Sequence, residues 1–415
     1  MVVKPSSLGA IPAEWQSVKF GSVTKVRQGL QIAISDRLKK PTLNSQEYIT
    51  IQSINRKNQD REYVDSPPNR VICKADDVLM TRTGNTGIVV TGVTGAFHNN
   101  FFLIDFDRNK IDSTFLVNYL RSERVQHIIL MKAGASTIPD LNHNDFYAID
   151  FALPPLSEQK KIAQILSTWD KAISVTEKLL TNSQQQKKAL MQQLLTGKKR
   201  LLDENGVRFS TEWEFKKISE VATRVQRKND AAEHPILTIS SLSGFVRQDE
   251  RYSRYMAGES VKNYILLKKG EFAYNKGNSK TYEFGCVFDL EAYEAGLVPH
   301  VYVCFRLKNG LSHRYFKYLF EADYLKPQLG ALVNTGVRNN GLLNIKPTEF
   351  MQTKVPVPCF EEQESIADML YNSSRTIRVL QDKLACLKDE KKALMQQLLT
   401  GKRRVKVDAE EAVSA

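Results

Sequence analysis

The chain has 415 residues, of which 42% are hydrophobic and 25% charged, a composition that excludes a largely disordered chain and a collagen-like chain. Its 59 Lys and Arg residues outnumber 46 Asp and Glu residues, so the net charge of +13 favours nucleic acid as partner, ahead of an acidic protein or an anionic membrane surface. The five cysteines form no CxxC pair and the six histidines have no metal-ligand spacing, so neither a disulfide framework nor a metal site is predicted.

No run of 18 apolar residues and no apolar leader is present, so we expect a cytoplasmic chain without membrane contact. Residues 1–152 have the pattern of an α+β domain. Short β-rich runs separated by turn residues are predicted over residues 47–55, 77–81, 86–90 and 101–105. A helix is predicted over residues 115–132, capped by Asp112 or Ser113 and ended by Gly134.

A long helix is predicted after the Pro154-Pro155 pair, which fixes an extended entry. Ser157 is a suitable N-cap and Gly197 a suitable stop, so the helix spans about 40 residues, or roughly 60 Å. Apolar residues recur alternately four and three apart, which is typical of a coiled-coil seam, although a helix packed on its own domain is the simpler alternative. The predicted pairing residues are Ile162, Leu166, Trp169, Ile173, Leu180, Leu190 and Leu194.

The second half of the chain has the same order of elements. Strands are predicted over residues 236–239, 271–274 and 301–306, and a helix over residues 312–324. A second long helix enters after Pro358 and stops at Gly401. Its predicted pairing residues are Ile366, Leu370, Ile377, Leu380, Leu384, Leu387, Leu394 and Leu398.

The two halves are copies of one unit. The string KKALMQQLLTGK occupies residues 187–198 and again residues 391–402, an offset of 204, and Glu158-Gln159 matches Glu362-Gln363 at the same offset. Two copies of one helix in one chain favour pairing the helices with each other. The β-rich parts have diverged far more, as expected of two readers of different sites.

Polar, cationic loops follow equivalent strands and are candidate DNA contacts. Arg and Lys suit guanine, Asn suits adenine, and backbone amides, Ser and Thr suit phosphate, whereas a merely solvated hairpin needs no cation. A second loop precedes the last strand of each domain. The candidate DNA-binding residues are Arg82, Thr83, Gly84, Asn85, Thr86, Ser136, Thr137, Asn275, Lys276, Asn278, Ser279, Lys280, Arg338, Asn339 and Asn340. The basic clusters at residues 198–200 and 402–404 either complement helix ends or touch phosphate.

No catalytic motif is convincing. The sequence has no phosphate loop, dinucleotide fingerprint, HExxH or (N/D)PP(Y/F) tetrapeptide, so no catalytic residue and no metal ligand is assigned. Asp140, Glu158 and Lys160 satisfy a loose PD…ExK nuclease pattern, whose carboxylates would hold Mg²⁺. The copy of this pattern at Glu364 loses the lysine, and Glu158 is also suited to a helix N-terminus.

The chain resembles the specificity subunits of type I restriction-modification systems. The resemblance is carried by LPPLSEQKKIA at residues 153–163, VPCFEEQESIA at residues 357–367, the twin KKALMQQLLTGK strings, MTRTGNTG at residues 80–87 and the Trp15 and Trp213 domain starts. It implies an α+β chain in which two α/β target-recognition domains are separated by two long helices that form an antiparallel coiled coil with pseudo-twofold symmetry. The implied boundaries are 1–152 and 201–356 for the recognition domains, 153–200 and 357–405 for the helices, and 406–415 for a tail.

The resemblance also implies a role. Each domain would read one half of a bipartite DNA target, and the helices would space the domains and dock two methyltransferase subunits, to which motor-nuclease subunits add. The chain itself would be non-catalytic and bind no cofactor, with S-adenosylmethionine on the methyltransferase subunit that modifies adenine N6. The alternatives are a basic coiled-coil adaptor for acidic proteins and a self-sufficient PD…ExK nuclease.

Overall fold

The chain divides into two compact units. The computed structural model describes residues 2–55, 61–134, 138–230, 233–251, 258–277, 279–333 and 343–407. Unit 1 joins Met1–Glu177 to Lys383–Ala415, and unit 2 is Lys178–Asp382. Each unit therefore holds one β-rich domain and half of each long helix.

Unit 1 is built on short strands and helices. Its strands are β1 Val3–Ser6, β2 Gly9–Pro12, β3 Gln16–Lys19, β4 Thr24–Gln28, β5 Ser45–Ile49, β6 Tyr63–Asp65, β7 Ile72–Cys73, β8 Val78–Thr81, β9 Val89–Val90, β10 Gly95–Phe97, β11 Phe101–Phe106 and β12 Asp150–Leu153. Its helices are α1 Phe20–Val23, α2 Ile51–Asn55, α3 Ser113–Arg121, α4 Glu123–Ala133, α5 His143–Tyr147 and the first part of α6 Leu156–Leu194.

Unit 2 has the matching elements. Its strands are β13 Glu214–Lys217, β14 Ala222–Arg224, β15 Leu237–Ser240, β16 Gly244–Arg247, β17 Ile265–Lys268, β18 Phe272–Asn275, β19 Cys286–Asp289, β20 Ala295–Val298, β21 Val303–Leu307 and β22 Lys354–Val357. Its helices are α7 Ile218–Val221, α8 Gln248–Arg251, α9 His313–Glu321, α10 Lys326–Leu332, α11 Pro347–Met351 and the first part of α12 Phe360–Leu398.

The same four-stranded antiparallel sheet recurs in both units. Its strand order is β4-β11-β8-β9 in unit 1 and β14-β21-β18-β19 in unit 2. The register also matches, because Thr24 pairs with Phe106 and Ala222 with Leu307 at the corresponding ends. A two-stranded sheet that leads into the long helix is likewise shared, as β12-β3 and β13-β22. The duplication read from the helices therefore extends to the diverged domains.

Aromatic side chains fill the core beneath each sheet. In unit 1, Phe20 stacks on Phe146 and Phe151 with ring centroids 5.0 and 4.8 Å apart. In unit 2, Tyr274 stacks on Phe350 at 4.4 Å. All five rings are fully buried, and burial of aromatic surface is a major favourable term in such cores.

The long helices run antiparallel where they meet inside each unit. In unit 1, Lys391 pairs with Asp170 at 2.6 Å and Lys388 with Glu177 at 2.9 Å, so residue numbers fall along α12 as they rise along α6. Each helix has 39 residues and is about 58 Å long at 1.5 Å per residue. Among the described residues, no helix is both long and apolar enough to cross a bilayer.

The predicted seam residues fall into two groups. Those near the helix ends are fully buried in cores shared with the domains: Ile162, Leu166, Leu194, Ile366, Leu370 and Leu398. Those nearer the middle are half-buried: Trp169, Ile173, Leu180, Leu190, Ile377, Leu380, Leu384, Leu387 and Leu394. The ends of the stripe therefore pack in cores that contain residues of both long helices and of a domain, while the roles of its half-buried middle residues in pairing stay a prediction.

Local predictions needed three corrections. Residues 51–55 form α2, because Thr50 and Ser53 exchange side-chain-to-backbone hydrogen bonds that cap a helical turn inside the predicted β run. The predicted helix over residues 115–132 is two helices, since Ser122 is extended and its hydroxyl bonds the Tyr119 carbonyl. The first long helix begins at Leu156, so Ser157 lies inside it.

Candidate nucleic-acid interface

The polar loop that follows β8 is held by the segment just before α5. Leu141 N donates to the Arg82 carbonyl at 2.9 Å, and Gly84 N donates to the Pro139 carbonyl at 3.0 Å. Thr83 and Asp140 form an isolated antiparallel bridge. The loop after β8 therefore contacts the segment that directly follows the second predicted loop. Thr83 and Asp140, which meet there, are 57 residues apart in the sequence.

Arg82 is fixed within this loop rather than freely extended. Its guanidinium donates to Asp140 at 2.8 Å and lies 5.5 Å from the centroid of the Phe102 ring. The Thr83 hydroxyl donates to the other oxygen of the same carboxylate at 2.5 Å. The Arg82 side chain is only 18% exposed, so this pair orients the cation before any ligand arrives.

The remaining residues of the loop divide by exposure. Gly84 and Asn85 are exposed, and Gly84 has a φ of +79°, a backbone conformation that glycine adopts most easily. Thr86 is buried, and its hydroxyl lies 2.9 Å from both the Arg82 and the Pro139 carbonyls. Thr86 therefore supports the loop and does not present its hydroxyl to a ligand.

The loop after β18 in unit 2 uses the same scaffold. Leu343 N donates to the Lys276 carbonyl at 3.1 Å, as Leu141 N does to the Arg82 carbonyl. Asn275 turns its side-chain oxygen to Gly277 N at 2.9 Å, and Ser279 N donates to the Tyr282 carbonyl at 2.9 Å. Lys280 is exposed.

The charges at the two loops differ. Burial lowers the pKa of Lys276, the neighbouring Arg224 lowers it further, and Glu349 opposes the shift. Arg224 also has a buried Nε for which the described chain offers no hydrogen-bond partner. Among the described residues neither cation forms an ion pair, whereas Arg82 is neutralised by Asp140. Unit 2 therefore carries two uncompensated cations beside its loop, a suitable environment for an anion.

Arg224 was not among the predicted site residues. It lies at the end of β14, where its strand neighbour is Phe305, and its sequence context gives no polar loop signal. Only the pairing of β14 with β21 and of β21 with β18 brings it near Lys276. Six predicted contacts lie outside the described residues: Ser136, Thr137, Asn278, Arg338, Asn339 and Asn340.

In each unit a buried glutamate near the start of a long helix binds an arginine and a tryptophan. In unit 1, Glu158 accepts from Arg404 at 2.7 and 2.9 Å and from the Trp15 indole at 2.9 Å. In unit 2, Glu362 accepts from Arg200 at 2.6 and 2.7 Å and from the Trp213 indole at 2.9 Å. We call these sets the first clamp and the second clamp.

The clamps settle the roles of several predicted residues. Arg200 and Arg404, the last members of the two basic clusters, are committed to carboxylates and are not free for phosphate. Glu158 is 2% exposed and bound by Arg404 and Trp15, while Asp140 is bound by Arg82 and Thr83. Both carboxylates of the PD…ExK pattern therefore have structural partners, and no group of three or more metal-binding side chains occurs in the described ranges.

Comparison with known proteins agrees with this architecture. Residues 12–182 match the family model for the type I restriction modification DNA specificity domain. The MjaVIII type I restriction enzyme specificity subunit of Methanocaldococcus jannaschii is 24% identical over 428 aligned positions, covering 95% of this chain and 94% of that protein. The putative MjaX specificity subunit of the same organism is 25% identical over 315 positions, covering 74% of this chain and 72% of that protein.

Two solved structures share the fold. The S subunit of a type I restriction-modification system from M. genitalium superposes with a TM-score of 0.55 at 14% identity, covering 94% of this chain and 96% of that one. A chain from a study of type I system assembly and conformational transition gives a TM-score of 0.55 at 16% identity, covering 95% and 99%. The chain therefore shares its fold with these solved chains, and its residues 12–182 match the DNA specificity domain of type I restriction-modification systems.

Proposed function

We propose that this chain reads a bipartite DNA target, one half with each unit, and supplies recognition to a complex whose chemistry resides in other subunits. The observation that carries the proposal is the pair of different cationic loops on one repeated scaffold. The Arg82 and Lys276 carbonyls accept equivalent hydrogen bonds from Leu141 and Leu343, yet the side chains around them differ. A common scaffold with unlike loops suits the reading of two unlike sequences by one chain, whereas a homodimer would read a palindrome.

The charge distribution supports DNA as the ligand. The net charge is +13, and each loop holds a cation: Arg82 lies beside the exposed Asn85 in unit 1, and Lys280 is itself exposed in unit 2. Arg is suited to guanine O6 and N7, while backbone amides and Lys bind phosphate. Unit 2, with Lys276 and Arg224 uncompensated, should draw more of its affinity from phosphate than unit 1.

The partners follow from the same role. In this proposal the long helices dock two methyltransferase subunits, motor-nuclease subunits join through them, and S-adenosylmethionine is bound by the methyltransferase subunit and not by this chain. The helices offer a docking surface because half-buried and exposed positions alternate along their middle. The chain works with double-stranded DNA and is expected in the cytoplasm.

Methylome sequencing of cells with and without the gene tests the proposal. A split adenine motif should disappear when the gene is deleted, and an unchanged methylome would contradict the role. Variants of the chain, assembled with the methyltransferase subunits, then test recognition of each DNA half-site separately. Arg82→Ala should cost about 1–3 kcal/mol of binding and relax one half-site, and Lys276→Ala should act on the other half-site and reduce the salt dependence of binding.

Lys110→Ala is the matched control, because this lysine is exposed and lies outside both loops. It should leave both half-sites unchanged. Equal loss at both half-sites from either loop variant would show that the loops do not divide the target between them. Binding of acidic proteins with no salt-dependent DNA affinity would favour the adaptor alternative instead.

A further inference from the structure

The ion pair between Arg82 and Asp140 presents its carboxylate, not its guanidinium, to the surface. The Asp140 side chain is 45% exposed, whereas that of Arg82 is 18% exposed. The guanidinium lies over the Phe102 ring, and its buried Nε has no hydrogen-bond partner among the described residues. A ligand that approaches the loop after β8 therefore meets the anionic member of the pair first.

The Asp140 carboxylate keeps capacity for a further hydrogen bond. One oxygen accepts from the Arg82 guanidinium at 2.8 Å, and the other accepts from the Thr83 hydroxyl at 2.5 Å. Since each carboxylate oxygen has about two acceptor sites, a site on each oxygen is left. The backbone of Asp140 is also held, because its N–H donates to the Ala133 carbonyl at 3.2 Å. The acceptor is thus oriented before a donor arrives, which lowers the entropic cost of binding that donor.

The loop leaves open space beside this carboxylate. Gly84 donates its backbone N–H to the carbonyl of Pro139, the residue before Asp140, and both Gly84 and Asn85 are exposed. A Cβ atom added at Gly84 would meet no atom of the described residues within 4 Å, apart from its chain neighbours. Within the described part of the chain, the Asp140 side chain therefore stands at an open face of unit 1, where the edge of a base has room to approach.

Charge selects which group of a DNA duplex can meet this carboxylate. Phosphate oxygens and the acceptor atoms of guanine (O6 and N7) and thymine (O4) are repelled by it, so the carboxylate discriminates against them. Exocyclic amino groups are attracted, and in the major groove these are cytosine N4 and adenine N6. Adenine carries the acceptor N7 beside its amino group, whereas cytosine presents the amino group alone. Cytosine is therefore the base that best fits a lone carboxylate.

Unit 2 has no carboxylate at the equivalent position of its sequence. Leu141 and Leu343 donate equivalent backbone hydrogen bonds to the loops of the two units. The residue before Leu141 is Asp140, whereas the residue before Leu343 is Leu342, which lies outside the described residues. The two units therefore differ in the charge that they offer to DNA at this position, as the reading of two unlike half-sites requires.

We propose that Asp140 is a specificity-determining residue that accepts a hydrogen bond from the N4 amino group of a cytosine in the half-site read by unit 1. This inference rests on the proposed function and names one base of the target. Arg82 acts as a positioning residue, because it fixes the orientation of the carboxylate and neutralises it for its approach to the duplex. Loss of Arg82 therefore relaxes the same half-site, although Asp140 makes the contact.

The test uses the full chain assembled with its methyltransferase subunits and duplexes that carry the split motif found by methylome sequencing. Each position of the motif is occupied in turn by the four base pairs, and affinity is measured by competition. With the parent chain, one half-site should contain a cytosine whose replacement weakens binding about fivefold or more. N4-methylcytosine pairs with guanine but lacks the N–H in the major groove, so it should weaken binding equally at this position.

Replacing Asp140 distinguishes a contact with the base from support of the loop. Asp140→Ala should remove the preference for cytosine, and N4-methylcytosine should then bind as well as cytosine. Asp140→Asn should shift the preference from cytosine to adenine, because an amide donates to adenine N7 and accepts from adenine N6. The other half-site should be unchanged in both variants.

Two controls complete the test. Asp107→Asn changes a carboxylate of similar exposure, 47%, that also pairs with a cation but follows the opposite end of β11, and it should leave every preference unchanged. Thr86→Val removes a buried hydroxyl that supports the loop, so it should weaken binding to all bases at that position alike. If both Asp140 variants behave like Thr86→Val, with unchanged base preference, the inference is overturned while the proposed function stands. If the parent complex recognises no split motif, the proposed function fails with it.

Discussion

Replacing Glu362 by glutamine probes the second clamp. The carboxylate is fully buried, and it accepts two charged hydrogen bonds from Arg200 and one from the Trp213 indole. Removing one member of a buried ion pair typically costs about 3–5 kcal/mol, because the other charge is left without compensation. Glutamine keeps an acceptor for the indole, and the Arg200 side chain is 21% exposed and can reach water. The expected loss of stability is therefore about 2–4 kcal/mol.

Calorimetry measures this loss as a shift in melting temperature. A unit of this size shifts by about 2–4 °C per kcal/mol, so the transition of unit 2 should fall by roughly 4–16 °C. Glu177→Gln is the matched control on the same kind of helix, since its pair with Lys388 is about half-exposed and worth less than about 1 kcal/mol. A shift for Glu362→Gln no larger than that of the control would refute the reasoning that the clamp stabilises its unit.

Two further outcomes depend on pH. Burial and Arg224 lower the pKa of Lys276, so its charge is lost at a lower pH than that of an ordinary lysine. As pH rises, affinity for the second half-site should therefore decline before ordinary lysines lose their charge, and Lys276→Arg should remove this early decline in a fluorescence titration. Burial and Arg82 likewise lower the pKa of His143, so its contribution to stability is present above the unfolded pKa and lost as pH falls below about 6.5. His143→Gln should therefore flatten the acid side of a urea-unfolding profile, and a profile identical to the parent's would contradict this role.

The long helices could be predicted because their signals are local and repeated. Gly197 and Gly401 both adopt a positive φ, of +71° and +70°, at the helix ends where the sequence places a stop. The offset of 204 residues also revealed the duplication without any structural information. The domains were harder to predict, because their strands are only two to six residues long and a local cap such as Thr50 with Ser53 converts a β-like run into a helical turn.

The clamps could not be predicted from local pattern. Glu158 and Arg404 lie 246 residues apart, and Glu158 has a sufficient local explanation at the start of a helix. A signal was nevertheless present, because Glu158 and Glu362 match at an offset of 204 and so do Arg200 and Arg404. For Arg82 the sequence predicted the polar loop but not the ion pair with Asp140, because that pair depends on a tertiary contact.

Unit 1 consists of two segments that are far apart in the sequence, and this arrangement affects the order of folding during synthesis. Unit 2 is one continuous segment, Lys178–Asp382, so it is synthesised without interruption by residues of unit 1. Translation of unit 1 begins first, yet the part of α12 that belongs to it starts at Lys383, and the arginine of the first clamp is Arg404. Ile162 and Leu166 in unit 1 therefore stay uncovered by α12 until the chain has been synthesised through Leu398, and the first clamp cannot form before Arg404 has emerged. A chaperone that shields nascent apolar surface would act on unit 1 for longer than on unit 2.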